Sequence, residues 1–95
     1  MDDEPPPVEL PIEDHLDLHP FAPRDVADVV SEYVEEAARR GFQVVRLIHG
    51  RGIGVQRAAV HRTLARHPRV RRFWDAPDAH LGATLAELDC SVGHV

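Results

Sequence analysis

The feature that most restricts the fold is a change of hydrophobic period between residues 15 and 48, from about two residues to about 3.6 and back. From His15 to His19 the chain alternates, with Leu16 and Leu18 on one side and Asp17 and His19 on the other. Pro20 and Pro23 end that strand and open a helix, since proline is tolerated in a first turn. Val26, Val29, Val30, Tyr33, Val34 and Ala37 then recur at the spacing of one helix face. Asp25 and Asp28 stand near its N-terminus and Arg39 and Arg40 near its C-terminus, as the helix dipole prefers, and Gly41 stops it. Phe42 to Ile48, apolar except for Gln43 and Arg46, reads as a buried strand. A strand, one helix and a strand predict two parallel strands joined by a right-handed crossover.

After His49-Gly50-Arg51-Gly52 a second helix is expected from Gly54 to His67, with Val55, Ala58, Ala59 and Leu64 inward and Pro68 ending it. Arg69 to Trp74 is expected as a third strand, with Val70, Arg72 and Trp74 alternating against Arg71 and Phe73, and Phe73 in the core. A polar turn region over Asp75 to His80 leads to a fourth strand, Ala83 to Leu88. The order β-α-β-α-β-β predicts an α/β fold, a two-layer sandwich with a mixed four-stranded sheet. A chain of 95 residues has room for one small domain. That domain is expected over 15–95, behind an acidic, proline-rich disordered lead over 1–14. Val8, Leu10 and Ile12 alternate, leaving open a short extended segment on the sheet edge. The lead is expected to be dispensable for folding and to compete with a polyanion for the basic body.

The overall charge of −5 hides a segregation. Residues 1–38 carry a net −11, residues 39–74 ten arginines and no acid, and residues 75–95 a net −4. Such asymmetry points to a polyanionic partner, DNA or RNA backbone. Every basic residue is arginine, whose planar fork suits phosphate. A GC-rich genome would explain the missing lysines but not the missing acids. No apolar run is long enough for a membrane span and no signal-peptide pattern opens the chain, so no membrane partner and a cytoplasmic location are expected. The single cysteine, Cys90, agrees with a reducing compartment. Oligomeric state is not legible.

Asp17 and His19 leave one strand on the same face, roughly 6.5–7 Å apart. A carboxylate beside an imidazole can hold its tautomer and support proton transfer on one phosphodiester. Taken alone, the pair also fits the solvated face of an edge strand. His49 stands where a strand ends and a glycine turn opens a helix, a place where backbone N–H groups can meet phosphate. Gly50, Gly52 and Gly54 permit close approach, and Arg51 and Arg57 would add phosphate contacts. The turn lacks the Lys-Ser/Thr ending of a nucleotide-binding P-loop. No tight metal site is expected; a loosely held Mg²⁺ or Mn²⁺ at Asp17, shared with substrate, stays open. Parallel strands would bring His19 and His49 to one sheet edge, within about 10 Å and with both side chains reaching solvent.

Leu16-Asp17-Leu18-His19, His49-Gly50-Arg51-Gly52 and Gly82-Ala83-Thr84-Leu85-Ala86-Glu87-Leu88 together resemble, in order and spacing, the three signatures of the Smr (small MutS-related) domain family. The resemblance covers about residues 15–90. It implies an α/β sandwich similar to the C-terminal domain of bacterial translation initiation factor three, and nicking of DNA or cleavage of RNA. It further implies Asp17, His19 and His49 as the catalytic set, with Gly50, Arg51, Gly52, Gly54, Arg57, Gly82 and Thr84 meeting nucleic acid. Two positions depart from the pattern: Pro20 follows His19 where glycine is usual, and Ala79-His80-Leu81 precedes Gly82 where more glycines are common. Both stiffen loops that would approach substrate, so they bear on catalysis more than on fold. A non-catalytic nucleic-acid-binding module and a protein-interaction domain remain the alternatives.

Overall fold

The structure, a computed structural model, describes residues 12–50, 54–80 and 82–90. Strand β1 (His15–Asp17) is followed by a short 3-10 turn at Pro23–Asp25 and helix α1 (Val26–Arg39). Then come β2 (Val44–Ile48), α2 (Val55–Arg66), β3 (Val70–Asp75), a second 3-10 turn (Pro77–Ala79) and β4 (Ala83–Leu88). The sheet order is β1-β2-β4-β3. β1 pairs with β2 in parallel, and β4 lies antiparallel between β2 and β3. The expected two-layer α/β sandwich with a mixed sheet is the one observed.

Alternation along β2 and β4 divides the sheet into a covered and an open face. Val45 and Leu47 are buried opposite Ala86 and Thr84, while Val44, Arg46, Leu85 and Glu87 register on the other side. Both helices lie on the covered face. Val26, Val30, Val34 and Ala37 of α1 meet Val60 and Leu64 of α2 in one cluster with Leu18, Val45, Leu47 and Leu88. Gly41 ends α1 at φ +90°, and the Gly41 and Phe42 amides donate to Ala38 and Ala37 oxygens. Those paired bonds satisfy carbonyls that a helix end otherwise leaves bare.

Three local expectations need correction. Strict alternation along β3 fails because the register with β4 shifts between Val70 and Arg72. This bulge lets Val70 and Phe73, three residues apart, both pack on the core. Trp74 takes the open face, with the Arg72 guanidinium 5.5 Å from its ring centre. Second, Ala59 and Leu64 of α2 face the core as expected, but Val55 is 50% exposed and Ala58 is exposed. Its inner face carries Val60 and Leu64 together with the polar Arg57 and His61, which blurs the apolar period.

Third, ordered packing begins by Ile12, inside the stretch expected as lead. Ile12 packs against the core, the Tyr33 hydroxyl donates to the Glu13 carbonyl, and the Arg46 amide donates to the Asp14 carbonyl. The expectation for residues 1–11 lies outside the described residues. No helix among the described residues is long and apolar enough to cross a membrane. A chain starting after Asp14 should be less stable than one starting after Pro11 by about 1–2 kcal/mol, roughly 5–15 °C in thermal midpoint. Equal midpoints by calorimetry would show that residues 12–14 contribute nothing.

Candidate nucleic-acid site

β1 and β2 run in parallel with Asp17 opposite Ile48, so the residues just beyond both strands emerge at one edge. There the Asp17 Oδ1 atom accepts from the His19 backbone amide at 2.9 Å and from His19 Nδ1 at 2.6 Å. Those bonds, the backbone one foremost, hold the Asp17 carboxyl below its ordinary range. With Nδ1 occupied, the other ring nitrogen of His19 faces Gly50. A Cβ built on Gly50 would lie 3.0 Å from His19 Nε2, and Gly50 sits at φ +80°. Glycine is therefore needed twice at this position, for its backbone angle and for the imidazole laid on it. The Gly82 carbonyl clamps the turn by accepting from both the His49 and the Gly50 amides, at 3.1 and 2.8 Å.

His49 shares this edge but not its solvent. It is 4% exposed, with its side chain turned into the protein, so the expectation that both histidines reach solvent fails for His49. The cause is a buried polar chain beneath the turn. His49 Nδ1 bonds the Gly50 carbonyl at 3.0 Å, and His49 Nε2 bonds Thr84 Oγ1 at 2.9 Å. His61 Nε2 meets the same hydroxyl at 2.9 Å and lies 3.6 Å from Asp75 Oδ1. Arg57 grips Asp75 through both oxygens, at 2.9 and 2.7 Å. Burial pushes His49 and His61 below their ordinary value of 6.5, and the Arg57 bond lowers Asp75.

The expected site residues thus sort into two layers. Asp17, His19 and Gly50 meet at the exposed edge, and His49, Thr84 and Arg57 lie beneath it. Thr84 has no exposed surface, so it does not meet nucleic acid directly as expected; it binds two histidines instead. The amides of Gly50 and Gly82 are committed inside the protein, the latter to the Ala79 carbonyl, and are not turned toward a phosphate. Gly54 holds φ +84° at the start of α2. Arg51 and Gly52 lie outside the described residues. His61 and Asp75 were missed by sequence reasoning; the only sign was the interruption of the apolar stripe on α2 by Arg57 and His61, one turn apart.

Most arginines of the basic segment are paired: Arg39 and Arg40 with Glu36, Arg46 with Asp78, Arg57 with Asp75, Arg69 with Glu35 and Arg72 with Glu87. Among the described residues Arg24, Arg62, Arg66 and Arg71 have no acidic partner. Arg62 and Arg66 lie on the exposed side of α2, Arg71 on the edge strand β3. The described residues hold no group of three or more His, Cys, Asp or Glu placed for a metal. A divalent ion at Asp17 would meet no such set.

Because the folded state depresses the His49 and His61 pKa values, the unfolded chain binds protons that the native one refuses as pH falls through about 6.5. Stability is then full above that pH and declines below it. The thermal midpoint should drop from about pH 7 to about pH 5, and more shallowly in His61→Gln, which removes one of the two groups. Parallel profiles for the two proteins would refute this.

Comparison with known proteins places the chain in a family. Over 79 residues the chain is 38% identical to the endonuclease MutS2 of Pelotomaculum thermopropionicum, covering 81% of this chain and 10% of that protein. It is 36% identical over 75 residues to the corresponding protein of Shouchella clausii. The chain spans about a tenth of the length of these curated relatives. The crystal structure of the Smr domain of Thermus thermophilus MutS2 superposes with a TM-score of 0.74 at 34% identity, covering 78% of this chain and 95% of that one. YdaL, a stand-alone small MutS-related protein from Escherichia coli, shares the fold, with a TM-score of 0.73 at 24% identity over 82% of this chain and 66% of its own. The Smr domain model matches residues 16–89, which hold all three signatures and both layers of the site, and the chain belongs to the Smr domain family.

Proposed function

We propose that this domain binds a DNA or RNA backbone and cleaves a phosphodiester, with Asp17 and His19 as the proton-transfer pair. The observation that carries this reading is the 2.6 Å contact between Asp17 Oδ1 and His19 Nδ1 at an exposed edge. An ionised carboxylate only accepts, so Nδ1 carries a proton and Nε2 is left to take one from an attacking oxygen or return one to a leaving oxygen. The same division of labour orients histidine in hydrolytic triads. The endonuclease named among the relatives supports the choice of reaction.

Arg51, by its place in the second signature, would contact phosphate together with the first-turn amides of α2, whose first turn carries no acidic residue and whose N-cap Gly54 offers no side-chain cap. His49 supports the turn from below. The polymer would run on over α2 and β3, where Arg62, Arg66 and Arg71 have no acidic partner among the described residues, with Arg62 and Arg66 offsetting Asp28 and Glu35 across the groove to α1. A non-catalytic binding module is the second reading, favoured by the burial of His49, which leaves one expected histidine exposed at the edge.

The deciding experiment incubates single-stranded RNA, duplex DNA and branched DNA with the protein, with and without Mn²⁺. His19→Ala should lower cleavage at least about 100-fold while leaving the thermal midpoint nearly unchanged. Cleavage at the parental rate would overturn the role of His19, and binding without cleavage of any substrate would establish the second reading. Gly50→Ala should cost about 1–2 kcal/mol of stability and displace His19. Arg62→Ala with Arg66→Ala should reduce the slope of log affinity against log salt by about 2; an unchanged slope would remove α2 from the polymer's path.

A further inference from the structure

We propose that His61 and Asp75 are positioning residues for the His49–Gly50 turn, acting through the Thr84 hydroxyl to hold His49 and His61 in opposite neutral tautomers. The importance of that turn for nucleic acid rests on the functional reading above; the tautomers do not.

Donor and acceptor rules fix the protons along the chain. A carbonyl oxygen only accepts, so His49 Nδ1, 3.0 Å from the Gly50 carbonyl, must carry a hydrogen. His49 is 4% exposed and near the Arg57 cation, both of which disfavour a second proton. Its Nε2 is then bare, and Thr84 Oγ1 at 2.9 Å must donate to it. A threonine hydroxyl owns one hydrogen. With that hydrogen given to His49, the contact from His61 Nε2 to the same oxygen must run the other way, so His61 carries its proton on Nε2. Asp75 Oδ1, 3.6 Å away, attracts the same N–H, and Arg57 fixes the carboxylate through two bonds. Phe73, with ring centres 5.0 Å apart at 68°, sets the plane of the His61 ring.

Among the described residues, the bonding and ring contacts to the two histidines come from Asp75 and Phe73 of β3, Thr84 of β4 and the Gly50 carbonyl of the turn, with the Arg57 cation of α2 close by. A proton added to His49 would set two N–H donors against one hydroxyl and leave the hydroxyl hydrogen without its acceptor. Otherwise His61 must move its proton to Nδ1 and present a bare nitrogen to Asp75. Either rearrangement breaks a buried hydrogen bond. The chain therefore holds His49 on the Gly50 carbonyl, and Gly50 is the surface on which the His19 ring rests.

The test uses the full chain with ¹⁵N-labelled imidazoles. Long-range ¹H–¹⁵N spectra at about pH 7.5 should show His49 as the Nδ1–H form and His61 as the Nε2–H form. The same tautomer in both rings, or a mixture in either, would overturn the proposal without any variant. Thr84→Ser should preserve the pattern, while Thr84→Val, similar in shape without the hydroxyl, should release His61 into a mixture; an unchanged lock in Thr84→Val would also overturn it. His61→Gln, with an N–H donor at the Nε2 position, should leave the Gly50 amide and His19 ring resonances in place, whereas His61→Leu should shift both. If the two variants behave alike, His61 does not position the turn. These readouts need no bound polynucleotide, so an absence of cleavage or binding would count against the functional reading alone.

Discussion

Parallel strands joined by a single helix must both begin at one end of the sheet and finish at the other. In this chain that constraint brings the tail of β1 and the tail of β2 together, with Asp17 registered on Ile48. The exposed edge follows from that pairing. His19 lies next but one after β1, as Gly50 does after β2, close enough for an imidazole to rest on a glycine. Helix α1 enforces the pairing, because its apolar stripe is buried only when it lies back across the strands it connects. The turn is then held by the Gly82 carbonyl at the entrance to the antiparallel strand β4.

The second organising element is polar and lies inside. A domain of this size has a small core, and placing two histidines, a threonine and an Arg–Asp pair beneath the exposed edge removes apolar packing there. The arrangement is tolerable because the described buried side-chain polar atoms all have partners. It also explains why α2 looks poorly amphipathic: part of its inward stripe is a hydrogen-bonding surface, with Arg57 and His61 aimed at Asp75 and Thr84. A fully bonded polar cluster has one good geometry, whereas an apolar one can slide among several. That rigidity lies directly under the turn on which the His19 ring rests.

Charge segregation along the chain becomes charge segregation in space. The acidic N-terminal third forms β1 and most of α1, while the basic middle third forms β2, α2 and β3, the last at the far edge of the sheet. Folding then edits the basic set, because Arg46, Arg57, Arg69 and Arg72 each find an acid from another element. Arg62, Arg66 and Arg71 stay exposed without an acidic partner among the described residues, the first two along the groove between α1 and α2.

The order of strands and helices was legible in the sequence because each element carries a long-range period and its own stops: Pro20 and Pro23, Gly41, and Pro68. The three signatures, in their order, identified the family and named the turn residues. Local patterns could not place the bulge at β3 or the beginning of ordered packing by Ile12, since both depend on contacts from distant strands and from Tyr33. Nor could they tell an exposed histidine from a buried one. His19 and His49 each follow a strand and carry similar local signals, yet one rests on the surface and the other is drawn inward by a hydroxyl 35 residues away. Sequence by itself determined the elements, the family and the segregation of charge, because those are properties of neighbours along the chain. Which histidine meets solvent, which arginines stay free and which residues brace the turn were decided by tertiary structure alone, because burial and hydrogen-bond partnership exist only between residues that folding has brought together.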